Sequence, residues 1–332
     1  MSRATIRGLD IFCGVGGSSA GARGAGVSIV GGIDQCCLAT AAYAANFPGA
    51  KVLTERLEHI SGAEARRQFG KVDILLASPE CTNHTCAKGS APRSEASRAT
   101  ALQVVRLARA LKPRWIVLEN VIHMRPWSKY RALKAALVDL GYHVAEQVLD
   151  SSHFGVPQAR RRLFLVADRD REPNLVGWRK KGRRPTVASI LDRSTRWKMS
   201  PLLGNGRARD TLARARRARK ALGNNSPFLL VYYGSDGSGG WQPVTRPLRT
   251  ITTVDRFALV RPTADGHEMR MLQVPELKRA MGFTTEHQMD VGTRRDQVRL
   301  LGNAVCPPVM HAVVEALLDE VPSTSKINRA GF

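Results

Sequence analysis

The chain has 332 residues, 43% of them apolar, and 51 Lys and Arg against 28 Asp and Glu, a formal charge of +23. That length predicts one large domain with a smaller one, and that charge a polyanionic partner, nucleic acid first. Neither a signal peptide nor an apolar run of membrane-spanning length is evident, the six cysteines form no C-x-x-C pair and the eight histidines are scattered. The expectation is therefore a cytoplasmic, nucleoid-associated protein with reduced thiols, no membrane and no bound metal.

From residue 6 to about 167, apolar strand-like runs alternate with helix-period segments. Strands are predicted at 6–12, 27–33, 51–54, 72–77, 114–119, 143–149 and 161–167, and helices near 18–25, 37–46, 60–69, 97–111 and 127–140. This alternation predicts an α/β fold with a mostly parallel sheet flanked by helices. Residues 170–245 are irregular and basic. Between Arg179 and Lys220 stand fifteen Lys/Arg and two Asp, with a short helix predicted at 208–222. Strand alternation returns at 249–260, and Gly302 to Val321 reads as a sharp turn followed by an apolar helix.

Candidate functional residues fall at the ends of predicted strands, where α/β proteins mount their chemistry. The first strand runs into Asp10-Ile-Phe12-Cys-Gly14-Val-Gly16-Gly17-Ser18, a glycine turn that lets backbone approach a ligand. Ser19 stands where a dinucleotide fingerprint needs its third glycine, which argues for a nucleoside cofactor without a pyrophosphate. Asp34, at the end of the second strand, can accept both ribose hydroxyls. Glu55, after the third, is placed to meet an adenine edge, though a plain surface glutamate reads equally well. Cys81, in Ser78-Pro79-Glu80-Cys81-Thr82, is a thiol at a strand end and a candidate nucleophile; a buried small hydrophobe is the alternative. Glu119, directly after four apolar residues, should be partly desolvated and suited to proton donation, or else cap the next segment. Alternation puts Gln158, Arg160 and Arg162 on one strand face, aimed together at something anionic or carbonyl-rich.

Five motifs in this order resemble those of the DNA cytosine-5 methyltransferases: D-x-F-x-G-x-G-G from Asp10, P-x-C-x-x-x-T from Pro79 to Thr85, E-N-V from Glu119, Q-x-R-x-R from Gln158 and G-N-A-V-x-P-P from Gly302. The resemblance covers most of the chain outside 175–240, including the block from Arg270 to Phe283. It implies a Rossmann-like S-adenosylmethionine-dependent methyltransferase fold, with a catalytic and cofactor-binding domain at 1–172 and 293–332 and a target-recognition domain at 173–292. S-adenosylmethionine would lie over Phe12, Gly14, Gly16, Gly17 and Ser18, with Asp34, Glu55 and Asn303 around it. Cys81, Glu119, Arg160 and Arg162 would be catalytic, and Thr85, Asn120 and Gln158 would serve substrate and loop. Two departures stand out: Glu80-Cys81-Thr82 replaces the usual Pro-Cys-Gln, where a carboxylate pointing inward would oppose thiolate formation, so that altered tuning and not loss of the thiol's role is expected, and Cys306 precedes the final Pro pair.

The resemblance further implies covalent attack by Cys81 on carbon-6 of a flipped-out cytosine in a specific duplex sequence and methyl transfer to carbon-5. Double-stranded DNA would be the partner of a monomer, with a cognate restriction endonuclease in a restriction–modification setting. The residues 82–97 would form a loop over the site. A tRNA cytosine-5 methyltransferase, and a non-catalytic S-adenosylmethionine-dependent DNA-binding protein, are the competing readings.

Overall fold

A computed structural model of the chain describes residues 5–80, 94–173, 184–192, 194, 196–204, 206–232 and 239–319. From the N-terminus, β1 (Arg7–Ile11), α1 (Gly17–Gly24), β2 (Ser28–Asp34), α2 (Cys37–Asn46), β3 (Lys51–Thr54), α3 (Gly62–Phe69) and β4 (Ile74–Ala77) alternate. Next come α4 (Glu95–Ala99), α5 (Gln103–Leu111), β5 (Trp115–Asn120), α6 (Tyr130–Asp139), β6 (His143–Asp150), β7 (Gln158–Ala159) and β8 (Arg161–Asp168). The predicted helix at 97–111 is two helices separated by a 3-10 turn at Thr100–Leu102. There the Thr100 hydroxyl donates to the Ser97 carbonyl at 2.7 Å, and such side-chain bonds compete with regular helical pairing.

These elements build a seven-stranded sheet of order β3-β2-β1-β4-β5-β8-β6. The first five strands are parallel to their neighbours, whereas β8 runs antiparallel to both β5 and β6. Every residue of β4 and β5 is buried, as expected of strands covered on both faces, which is why they read as unbroken apolar runs. The order reverses between β1 and β4, so the carboxyl ends of those two strands flank the crevice where open α/β sheets place ligands.

The chain divides into two compact units, the first comprising 1–150, 161–180 and 304–332, the second 151–160 and 181–303. Residues 151–160 and 293–303, expected in the first domain, thus group with the second. The side chains account for it: Arg160 donates to the carbonyls of Ile251 (3.0 Å) and Gly302 (2.8 Å), and Gln158 donates to that of Ala280 (3.1 Å).

The second unit holds β9 (Ser200–Pro201), α7 (Arg209–Leu222), β10 (Phe228–Val231), β11 (Trp241–Pro243), β12 (Leu248–Arg249), β13 (Phe257–Thr263), β14 (Gly266–Met271), α8 (Val274–Ala280) and α9 (Arg294–Asn303). Its antiparallel sheet, β11-β10-β13-β14-β9, packs a core of Leu202, Ala215, Ala218, Phe228, Leu230, Ala258, Val260 and Met269. The strand predicted at 249–260 is interrupted: residues 250–256 are not strand. Side chains capture their backbone instead, with Ile251 N–H on Gln158 Oε1 at 2.8 Å and Thr252 Oγ1 on the Val254 carbonyl.

Gly302 lies in the last turn of α9 rather than opening a helix, and α10 (Pro307–Asp319) starts only after 304–306. A side chain at Gly302 would stand 2.4 Å from the Thr252 backbone, while a proline opening α10 costs no intrahelical hydrogen bond. By length and composition Arg294–Leu318 could cross a membrane, but most of that stretch is buried, as in the core helix of a folded protein.

Candidate active site

The first unit places Phe12, Gly14, Asp34, Glu119 and Asn120 along the carboxyl edge of its sheet. After β1 the chain enters a left-handed turn, with φ of 58° at Phe12, 51° at Gly14 and 86° at Gly16. A positive φ is costly for a phenylalanine, so something must hold it. Ser78, just past β4, donates its hydroxyl to the Phe12 carbonyl at 3.0 Å and ties the glycine turn to the neighbouring strand end. Among the described residues a side chain built on Gly14 would meet nothing within 4 Å. Asp34, closing β2, accepts the N–H of Gly14 (3.0 Å) on one oxygen and of Cys36 (2.8 Å) on the other.

Beneath the turn, Asp10 is fully buried. One oxygen accepts the Ser19 hydroxyl at 2.7 Å, Ser19 meets the Tyr43 hydroxyl at 2.7 Å, and Tyr43 donates to the Gly31 carbonyl. The other Asp10 oxygen and the buried Ser18 hydroxyl have no partner among the described residues. Burial pushes the Asp10 carboxyl up to about 7, the Ser19 bond pulling the other way, and burial raises the Cys13 thiol beside it as well. Ser18 and Gly17 open α1. Glu55 is exposed and turned onto its own chain, accepting the Arg56 N–H and contacting His59 Nδ1 at 2.8 Å, bonds that lower its pKa.

At the end of β5, Glu119 is buried and lies 3.2 Å from the Arg162 guanidinium, which supplies the counter-charge a buried carboxylate needs. The antiparallel register explains the meeting: Asn120 faces Leu163, so Arg162 arrives where β5 ends. Asn120 donates to the Pro79 carbonyl at 3.1 Å and accepts the Val121 N–H. The strand end leading to Cys81 is thereby fixed to the one bearing Glu119. Cys81 and Thr85 themselves lie outside the described residues. Farther along, Glu95 opens α4 and accepts from Trp127 Nε1 at 3.1 Å, with Lys129 at 3.3 Å.

Gln158, Arg160 and Arg162 do not share a target. Gln158 and Arg160 are buried in the second unit, Gln158 on Ala280, Met281 and Ile251 and Arg160 on Ile251 and Gly302, whereas Arg162 belongs to the first unit and joins Glu119. The chain leaves strand geometry at Arg160, which breaks the alternation that put the three on one face. Asn303 is exposed at the end of α9 in the second unit. Sequence reasoning did not single out Asp10 or Ser78. Asp10 sat within the quoted motif, and its only signal was a carboxylate inside an apolar strand; Ser78 had none, because its partner lies 66 positions away.

Among the described residues no cluster of His, Cys, Asp and Glu could hold a metal ion. The model of the C-5 cytosine-specific DNA methylase family matches residues 6–319. The chain belongs to that family. The Type II methyltransferase M.NlaX of Neisseria lactamica is 26% identical over 319 residues, 93% of this chain and 95% of that protein. M.HgiDI of Herpetosiphon aurantiacus is 30% identical over 161 residues, 48% of this chain and 52% of that one, and M.XorII of Xanthomonas oryzae is 31% identical over 171, 49% and 40%. The chain thus spans about half the length of these last relatives. In fold it matches the Entamoeba histolytica methyltransferase EhMeth (TM-score 0.70, 16% identity, 97% of this chain and 100% of that one) and S. pombe Dnmt2 (0.69, 16%, 95% and 98%). The first unit accordingly has an α/β methyltransferase fold.

Proposed function

We propose that this protein transfers a methyl group from S-adenosylmethionine to carbon-5 of cytosine in a specific double-stranded DNA sequence. The observation that carries the reading is the link between two neighbouring strand ends: Asn120 holds Pro79, two residues before Cys81, against the strand that presents the buried Glu119–Arg162 pair. A nucleophile and an acid are needed within reach of one ring, and neighbouring strand ends, one of them leading to Cys81, are where both would stand.

The glycine turn fits the cofactor. Among the described residues nothing lies within 4 Å of a side chain built on Gly14, one Asp10 oxygen and the Ser18 hydroxyl have no partner, and Asp34, at the carboxyl end of β2, is the carboxylate that would meet a ribose. Phe12, Gly16 and Gly17 would complete the cradle. When bound, S-adenosylmethionine supplies an electrophilic methyl group. The protein's own residues make carbon-5 reactive. The Cys81 thiolate adds to carbon-6, and the electron pair of the 5,6 double bond moves toward carbon-5. Glu119 holds a proton at N3 and Arg162 hydrogen-bonds O2, limiting charge build-up on the ring. Loss of the carbon-5 proton then lets the carbon–sulfur bond break and restores thiolate and aromatic ring. Arg160 and Gln158 act at one remove, fixing the backbone at Ile251, Ala280 and Gly302. The second unit would read the target. A cognate restriction endonuclease is the partner its Type II relatives suggest, and no bound protein is needed for the chemistry.

The test is bisulfite sequencing of plasmid DNA from a methylation-deficient host expressing the chain. Protected cytosines in one recurring context are expected. Cys81→Ser should abolish protection, a loss of about a thousandfold or more, while S-adenosylmethionine still binds. Full activity in that variant would overturn the mechanism, and unprotected DNA from soluble wild-type protein would overturn the substrate.

A further inference from the structure

The second unit carries a surface that neither catalysis nor cofactor binding uses. α7 is a fourteen-residue helix with six basic residues, Arg209, Arg214, Arg216, Arg217, Arg219 and Lys220, against one acid, Asp210. One side of it is spent on packing. Thr211, Ala215 and Ala218, spaced four and three apart, are buried, and the two alanines belong to the core built on β10, β13 and β14. Three of the cations are turned to local use: Arg214 lies over the Tyr232 ring, Arg217 donates to the Gly239 carbonyl, and Arg219 donates to Asn224.

Arg209, Arg216 and Lys220 remain. All three are exposed, and among the described residues none is paired with a carboxylate. At positions i, i+7 and i+11 they fall within one narrow stripe of the helix, about 16 Å long at 1.5 Å per residue. Arg216 and Lys220 are four apart, a like-charge spacing that weakens a helix unless something outside it neutralises them.

We propose that this stripe is a phosphate-backbone docking surface for duplex DNA, holding the duplex without reading its bases. The inference rests on the DNA substrate proposed above and adds where part of the backbone is gripped. Unpaired guanidinium and ammonium groups in a row match the regular charge of a polynucleotide strand. A membrane surface fits worse, because the exposed positions of α7 carry no large apolar side chain to insert.

The experiment uses the full chain and a short duplex made only of A·T pairs. Lacking cytosine, it contains no target, so binding reports the backbone alone. Affinity is measured across salt for wild type, for the triple variant Arg209→Gln, Arg216→Gln, Lys220→Gln, and for the charge-keeping Arg209→Lys, Arg216→Lys pair. Removing three phosphate contacts should cut the slope of log affinity against log salt by about 2.7 and weaken binding about tenfold or more at moderate salt. The Lys pair should keep the slope, and the methylated context should not change, since phosphate contacts carry no sequence. An unchanged slope in the triple variant, with circular dichroism confirming the fold, would overturn the surface. So would weakened binding to single-stranded RNA with duplex binding intact, which would assign the stripe to a different polymer. If wild type leaves plasmid DNA unmethylated while the slope still falls, the proposed activity fails and the surface stands.

Discussion

The two units handle buried charge in opposite ways. In the second, Glu276 is fully buried but saturated: its oxygens accept Arg270 at 2.7 Å on each side, together with the N–H groups of Gln273 and Asp192. In the first, Asp10 is equally buried but has one oxygen without a partner among the described residues, as does the Ser18 hydroxyl nearby in sequence. A filled network serves the scaffold. A network left partly unfilled among the described residues, beneath a glycine turn at the sheet's reversal point, does not serve the scaffold in the same way.

That contrast predicts mutations of opposite sign. Glu276→Ala strands the Arg270 guanidinium in the core and should cost about 3–5 kcal/mol, seen as a lowered midpoint in denaturant melts. A loss below about 1 kcal/mol would show that the pair is not scaffold. Asp10→Asn should do the reverse at alkaline pH. The folded-state pKa, about 7, lies above the ordinary value of 3.8, so the folded protein holds this proton more tightly. The group's contribution is greatest below about pH 4 and is lost as the pH rises through 7. Near pH 8 the asparagine variant should therefore be more stable than wild type by up to about 4 kcal/mol, with a flatter stability profile between pH 4 and 7. Equal profiles would mean that Asp10 is not the buried acid described here.

Glu119 lies between these cases, buried like Glu276 but at the edge where chemistry is expected, and ion-paired with Arg162. Glu119→Gln keeps the shape and removes the acid. Methyl transfer should fall about a hundredfold or more, with S-adenosylmethionine affinity retained. Parallel losses of activity and cofactor affinity would instead make Glu119 a structural support of the sheet.

Much of the first unit was legible in the sequence because its strands are apolar runs with sharp ends. Strands predicted at 27–33, 51–54, 143–149 and 161–167 differ from the observed spans by no more than a residue at either end. The residue after each run is then a residue at the sheet's carboxyl edge, which is how Asp34 and Glu119 could be singled out. The second unit was less legible. Its segment 250–256 has the alternation of a strand but donates and accepts through Gln158, Ala159 and Arg160, some 91 to 93 positions away. No local pattern records a competitor for hydrogen bonds that distant.

The sequence by itself determined the alternation of strands and helices, the strand ends that bear Asp34 and Glu119, and the basic character of 179–220, because periodicity, burial and charge are local properties. Only the tertiary structure decided which of those groups meet. It joined Arg162 to Glu119, sent Arg160 to the Gly302 carbonyl 142 positions away, tied Ser78 to Phe12, and left one Asp10 oxygen without a partner among the described residues. Those outcomes depend on strand register and on which hydrogen-bond partner lies nearest once the chain has folded, and neither exists until distant segments are brought together.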